Sequence, residues 1–292
     1  MTANARSVSA ARLVPALEAI AGIAVLSGMD AIIKDVAARY PTFEVAFLRF
    51  AAGSLAVMLL VAILRPGWPS RETLTVNGAR AFLVVMTACC FFYALGTLPL
   101  AETLALSFLS PVFMALFGAL ILREAVDRRI VVALGAGFLG MMVIVFGAAG
   151  TREYGDTALL GAAAAVVSAL SYALAMVLLR ARAGKDALVV IVAVQNVVPA
   201  VILLAPASYV WSAPAASDWP LFGVIGAMGV AGHLLLARAF AKAEAARLAP
   251  LEYTGLIWAV VLGYLFFAEI PTPTTLLGAG LIVAGAIAAT RR

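Results

Sequence analysis

Four charged side chains lie within stretches of the sequence that are otherwise almost entirely apolar. Asp30 and Lys34 occur in the first such stretch, Arg49 in the second and Glu252 in the ninth. Ionisable groups at membrane depth are expensive, which makes them functional candidates by default. A buried carboxylate also holds a proton more readily than one in water, because desolvation disfavours its charged form. We therefore predict coupling or gating roles for these four residues, with Glu252 as the candidate proton carrier.

Structural roles compete with these assignments. Arg49 could pair with Asp30 or Glu44 and brace two helices, while the amine of Lys34 extends outward to the membrane surface. Glu252 could instead be a neutral or paired glutamate near the cytoplasmic surface. The sequence leaves both alternatives open.

A second set of residues combines aromatic rings with hydroxyl, amide and imidazole groups. Such a set suits an amphipathic solute that carries an amino acid or aromatic group. The candidate substrate-binding residues are Tyr93, Ser107, Tyr172, Gln195, Asn196, His233, Tyr253 and Trp258. The alternative is hydrogen bonding between helices, at about 1 kcal/mol or less for each bond. That alternative is the stronger one for His233, whose setting GVAGHLL consists of small and apolar residues.

The composition requires a membrane. Of the 292 residues, 65% are hydrophobic and only 12% are charged, whereas a soluble domain has about a quarter of its residues charged. The net charge of +5 does not indicate nucleic acid, because the basic residues lie singly or in short clusters between apolar runs. That pattern is typical of cytoplasmic loops beside anionic lipid headgroups.

A helix needs about 20 mostly apolar residues to cross the hydrocarbon core, and ten stretches satisfy this requirement. The excess of Lys and Arg on one side places both termini in the cytoplasm, with Arg80 counted among the cytoplasmic charges. We predict an all-α integral membrane protein with spans at Pro15–Val36, Thr42–Leu64, Val76–Leu98, Ala101–Leu122, Ile130–Ala148, Thr157–Leu179, Ala187–Ala207, Trp219–Ala239, Leu248–Ala268 and Thr274–Thr290.

The chain also repeats itself. FFYALGTLPLAETLALSFLSPVFMALFGALILRE (91–124) and LARAFAKAEAARLAPLEYTGLIWAVVLGYLFFAE (236–269) align at a separation of 145 residues, which matches Glu124 with Glu269 and Ser107 with Glu252. Five spans is an odd number, so the second half must enter the membrane upside down. Inverted repeats are common in secondary transporters, which bind substrate between the halves. We predict two five-helix repeats, residues 1–150 and 151–292, joined by a polar linker at Thr151–Asp156.

These segments, together with YPTFEVAFLRF (Tyr40–Phe50) and the glycines of the terminal helices, resemble the drug/metabolite transporter superfamily. The resemblance is to its EamA-type ten-helix members and covers nearly the whole chain. It implies a secondary carrier, commonly an exporter of amino acids, other metabolites or amphipathic drugs. It also implies that the fifth helix of each half lies peripherally, with the other eight around a central cavity. Glu252 departs from the family pattern, in which a small or neutral residue is usual at that position.

An intramembrane enzyme is the rival class. The sequence contains no HExxH motif, a single histidine cannot build a multi-His metal site, and no GxxxxGK[ST] loop for ATP is present. We therefore predict no catalytic residue, no metal site and no cofactor. A channel is a further alternative, although mid-span prolines in duplicated halves favour alternating access.

The sequence thus predicts a proton- or gradient-coupled exporter of small metabolites in a bacterial inner membrane, with neutral or aromatic amino acids as the first candidates. The alternative is import or export of another amphipathic solute, such as a vitamin, a nucleoside-like metabolite or a cationic drug. The expected partners are the solute and membrane lipid, without nucleic acid. Glycines in the fifth and tenth helices raise the option of a homodimer through those helices.

Overall fold

The computed structural model describes residues 2–37, 39–97, 106–148, 158–267 and 273–290, and no strand occurs among them. The helices are α1 (Thr2–Ala37), α2 (Thr42–Leu64), α3 (Arg71–Thr97), α4 (Ser110–Leu122), α5 (Arg128–Ala148), α6 (Ala158–Ala183), α7 (Leu188–Tyr209), α8 (Trp219–Lys242), α9 (Ala245–Leu248), α10 (Thr254–Phe267) and α11 (Pro273–Thr290). The predicted linker Thr151–Asp156 lies outside the described residues.

Within the described part of the chain, seven helical stretches are long and apolar enough to cross a membrane. Two shorter apolar helices, Ser110–Leu122 and Pro273–Gly285, accompany them. The all-helical architecture is therefore confirmed. The count of ten spans and the cytoplasmic position of both termini stay predictions.

The predicted ninth span is not one continuous helix. The short helix α9 leads into a 3₁₀ turn at Ala249–Tyr253, and α10 begins only at Thr254. Pro250 explains the break, because proline has no backbone N–H and its ring clashes inside an α-helix. The hydroxyl of Thr254 donates to the carbonyl of Leu251 over 2.6 Å and so binds a backbone oxygen at the end of the turn. Irregular backbone is tolerated at membrane depth only where it is buried in protein or lines a cavity.

The first half contains a matching irregularity. A turn at Phe108 and Leu109 precedes α4, with Pro111 close to the start of that helix. At the separation of 145 residues, Phe108 corresponds to Tyr253, and these two rings stack on each other with centroids 6.0 Å apart. The two breaks therefore meet in the interior of the protein.

The helices pair in a pattern that is unchanged when the two halves are exchanged. Helix α1 packs on α8, and α3 packs on α6, which is the same contact with the halves swapped. Helix α2 packs on its counterpart α7, and α5 packs on its counterpart α11. Two related halves arranged about a two-fold axis would have these pairings.

Glycines bring α5 and α11 into close contact. A Cβ on Gly140 would collide with the carbonyl of Gly278, and one on Gly285 would lie 2.9 Å from the carbonyl of Ala133. These glycines thus serve a contact inside the chain, and the option of a homodimer through α5 and α11 stays a prediction. Gly135 and Gly280, in contrast, face open space.

This packing predicts a large difference between two substitutions on the same helix. Gly140→Leu should destabilise the protein by about 1–3 kcal/mol, because the new side chain overpacks the α5–α11 contact. Gly135→Leu should change stability by less than about 0.5 kcal/mol, because it adds an apolar side chain to an open surface. Thermal unfolding in detergent, followed by tryptophan fluorescence, measures both. Equal effects of the two variants would contradict the described packing.

Candidate substrate cavity

A cavity of about 400 Å³ lies between helices from both halves of the chain. Aromatic and thioether side chains form much of its apolar wall, including Met29, Phe50, Phe91, Phe108 and Met176. Seven of the residues predicted from the sequence also line it: Asp30, Arg49, Ser107, Tyr172, Gln195, His233 and Glu252. The pair matched by the internal repeat, Ser107 and Glu252, is thus brought to one cavity.

Glu252 lies on the 3₁₀ turn, and its carboxylate accepts a hydrogen bond from the hydroxyl of Tyr172 over 2.9 Å. This bond joins the turn to α6 and leaves the second carboxylate oxygen for the cavity. The structure therefore places Glu252 inside the bundle, facing the cavity, in contrast to the alternative of a surface glutamate.

Arg49 and Asp30 form the second charged part of the wall. The guanidinium of Arg49 lies 4.4 Å from the ring centroid of Phe50, and its Nε lies 3.4 Å from the sulfur of Met29. Among the described residues no direct ion pair joins it to Asp30 or Glu44, and the alternative of a brace between helices stays a prediction. Glu44 is fully buried and instead accepts a hydrogen bond from the backbone N–H of Ser212 over 2.9 Å. Arg49 and Asp30 thus both line the cavity with their opposite charges.

His233 is hydrogen-bonded within its own helix and also lines the cavity. Its Nδ1 lies 2.7 Å from the carbonyl of Gly229, one turn earlier on α8. A carbonyl only accepts, so Nδ1 carries a proton in this contact. The ring is thus held by its own helix and still lines the cavity.

Four other predicted site residues, all within the described part of the chain, do not line the cavity. Tyr93 is exposed on α3, and Trp258 packs beside the apolar core. Asn196 is buried and donates to the carbonyl of Val192 over 2.8 Å, while the ring of Tyr253 is fully buried. Asn196 and Tyr253 each directly follow a cavity residue, and consecutive helical residues point in different directions. Lys34 lies on α1, but its side chain is outside the described part of the structure.

Arg80 is a buried residue close to the cavity that is absent from the site predicted from the sequence. The prediction that Arg80 is a cytoplasmic loop charge is wrong, because the residue lies inside α3 with its side chain fully buried. Its Nε donates to the carbonyl of Ala175 over 3.1 Å, and its Nη2 donates to the amide oxygen of Gln195. Its position within the predicted span Val76–Leu98 was the available signal.

Charged clusters tie the helices together at one end of the bundle. Glu124 accepts hydrogen bonds from Arg180 over 3.1 Å and from the backbone N–H of Ala246 over 3.2 Å, joining α4 to α6 and α9. Glu18 binds Lys242 over 2.6 Å and so joins α1 to α8.

A further cluster forms around Asp186, in the connection between α6 and α7. Its carboxylate accepts hydrogen bonds from Arg182 over 2.6 Å, from Thr73 over 2.9 Å and from Asn77 over 3.2 Å. An equivalent contact occurs at the connection between α1 and α2, where Arg39 binds Asp218 at the start of α8 over 3.0 Å. At the separation of 145 residues, Asp218 corresponds to Thr73. Each half thus binds the first turn of a helix from the other half.

The Asp186 cluster predicts a pH dependence of stability. Burial alone would raise the pKa of Asp186, but the hydrogen bonds from Arg182, Thr73 and Asn77 and the charge of Arg182 outweigh burial and lower it below 3.8. A lowered pKa means that the stabilisation is present above the ordinary carboxyl range and is lost as the pH falls through the lowered value.

Asp186→Asn should therefore lower the unfolding temperature by several degrees at pH 7 and weaken its decline in acid. Thermal unfolding between pH 3 and pH 7 measures this. The control is Asp35→Asn, since the Asp35 side chain is 60% exposed. A decline in acid as steep in Asp186→Asn as in the unaltered protein would contradict the assignment.

Membrane-length helices that pair across two halves and enclose a cavity of mixed charge describe a membrane transport protein. The chain belongs to the EamA-like transporter family, which it matches over residues 15–146 and 159–291. It is thus a multi-pass membrane protein of a transporter family, as the resemblance implied.

Relatives of the chain are named as transporters. It is 33% identical over 276 residues to the pseudopaline exporter CntI of Pseudomonas aeruginosa, covering 91% of this chain and 92% of the relative. It is 26% identical over 257 residues to the S-adenosylmethionine uptake transporter of Rickettsia conorii, covering 88% and 85% respectively. A crystal structure with 21% sequence identity shares the fold, with a TM-score of 0.83 over 94% of this chain and 98% of that one. One named relative exports and the other imports.

Proposed function

We propose that this protein is a secondary active transporter that exports small zwitterionic metabolites across a bacterial inner membrane by alternating access. Neutral and aromatic amino acids are the first candidates. The observation that carries the proposal is the mixed charge of the cavity, where Arg49 and two carboxylates, Asp30 and Glu252, lie among aromatic rings.

Each part of an amino acid has a counterpart on this wall. The guanidinium of Arg49 suits a carboxylate, and charge-assisted hydrogen bonds of this kind are stronger than neutral ones. Asp30 and Glu252 suit an ammonium group. Phe50, Phe91 and Phe108 offer apolar surface to a side chain. The cavity volume of about 400 Å³ is within the range of small-molecule sites.

The helix arrangement supports alternating access. Inverted repeats place a substrate between the halves, near irregular backbone, and expose it to each side in turn. Here the pairings are unchanged on exchanging the halves, and the two backbone breaks adjoin the cavity. Import is the alternative direction, supported by the uptake relative. Other amphipathic solutes are the alternative substrates.

Counterflow tests the transport proposal. Proteoliposomes preloaded with unlabelled phenylalanine should accumulate external labelled phenylalanine transiently, because a carrier exchanges one molecule for another and a channel does not. Arg49→Gln should weaken the apparent affinity by roughly 10- to 100-fold, the effect of losing a charged hydrogen bond. Arg71→Gln is the control, because Arg71 is exposed at the start of α3. The absence of counterflow with any amino acid would refute the substrate class.

Substitution of Glu252 tests the proposal that this residue couples transport to a proton gradient. Glu252→Gln keeps an oxygen that accepts from Tyr172 and removes the group that ionises. We expect accumulation driven by a pH gradient to be lost, while counterflow without a gradient continues. Glu244→Gln is the matched control, since Glu244 lies at the end of the bundle and pairs with Arg247. If Glu252→Gln still accumulates phenylalanine in response to the gradient, another group carries the coupling.

A further inference from the structure

Arg80 is a buried cation that no carboxylate neutralises in the described part of the structure. Its side chain is fully buried, its two hydrogen bonds go to uncharged oxygens, and its Nη1 has no partner. The buried Arg182 is different, because it binds the carboxylates of both Asp186 and Glu72. A buried charge without a partner is costly. A stabilising role therefore does not explain why an arginine occupies position 80.

The contact with Arg80 determines which way the amide of Gln195 points. Arginine has five N–H donors and no acceptor, so only the Oε1 atom of Gln195 can face it. The Nε2 group, with its two N–H donors, is then the part of the amide that remains for the cavity that Gln195 lines. Without Arg80 the amide could turn over and present its oxygen instead.

Both features favour the same chemical group on the ligand. The oriented amide offers donors, and the unneutralised guanidinium behind it adds positive potential in an interior where charges are weakly screened. A carboxylate satisfies both, because it is negatively charged and accepts at two oxygens. An uncharged amide of the same shape has one acceptor oxygen and no negative charge, so it fits the N–H donors and the positive potential less well.

We infer that Arg80 is a positioning residue that holds Gln195 as a hydrogen-bond donor and so makes the cavity selective for solutes bearing a carboxylate. The inference rests on the proposed function, since it concerns the substrate of the same cavity. Arg80 acts from behind the wall, and Gln195 makes the contact.

The test compares a carboxylate with its amide. Phenylalanine and phenylalaninamide compete against labelled phenylalanine in counterflow, and the ratio of their inhibition constants gives the selectivity. Gln195→Glu keeps an oxygen toward Arg80 but offers a second oxygen in place of the N–H donors. We expect it to reduce the preference for phenylalanine by tenfold or more. Unchanged selectivity in Gln195→Glu would overturn the inference.

Variants of Arg80 separate positioning from bracing. Arg80→Met should abolish the preference without lowering the unfolding temperature, because an apolar side chain replaces an unpaired buried charge. Arg80→Lys, which can still donate to Gln195, should retain part of the preference. A fall in stability in Arg80→Met with the preference unchanged would identify Arg80 as a structural brace. Should Arg80→Met fail to fold, Gln195→Glu decides.

A binding measurement keeps this inference separate from the proposed function. Purified protein in detergent is heated with 3-phenylpropionate or with 3-phenylpropionamide, which differ only in the carboxylate. A rise in the unfolding temperature with the acid alone, lost in Gln195→Glu, supports the inference even if no amino acid is transported. Equal shifts with both compounds, or no shift with either, overturn it.

Discussion

A charged side chain inside a bundle of membrane helices must find its partner within the protein, because the hydrocarbon offers no water to solvate it. Several of the buried charges described above meet this requirement with opposite charges. Arg182 has Asp186 and Glu72, and Arg180 has Glu124. The Arg182–Glu72 and Arg180–Glu124 pairs join separate helices, so meeting the requirement also fixes how those helices meet. Arg49 and Arg80 form no ion pair among the described residues, and they lie at the cavity or directly behind it.

The internal cavity follows from the way the chain interrupts its own helices. Pro250 and the turn at Phe108–Leu109 stop regular helix formation in the same region of both halves. A continuous helix hides its backbone and presents side chains evenly around its axis. An interrupted one can direct a polar side chain such as Glu252 sideways into a cavity. The breaks therefore explain why the cavity lies where the halves meet.

Much of this arrangement could be predicted from the sequence, because hydrophobic length and internal repetition are properties of the chain itself. The separation of 145 residues matched Ser107 with Glu252, and both line the cavity. Arg80 was missed because a rule that counts basic residues assigns them to loops by proximity, whereas its partner Gln195 is 115 residues away. No local pattern contains such a contact.

The direction in which each side chain points was the second feature that could not be predicted from the sequence. Gln195 and Asn196 are adjacent and chemically alike, yet one faces the cavity and the other binds its own helix beside Gly53. The two side chains have different surroundings because of the way α2 packs against α7. The break at Pro250 was visible in the sequence, but the apolar run around it favoured one continuous helix. A proline within an apolar run either kinks a helix or begins a new one. Packing against the neighbouring helices determines which of the two occurs.

The stacking of Phe108 on Tyr253 has a consequence for how the two halves can diverge. Residues on a symmetry axis meet their own counterparts, so a change in one half must be accommodated at once by the other. One residue away, Ser107 and Glu252 are free of that restriction, and there the halves differ in charge. A transporter with two identical halves would be equivalent on the two sides of the membrane. An ionisable group present in only one half breaks that equivalence, because the two halves then offer chemically different surfaces to the cavity.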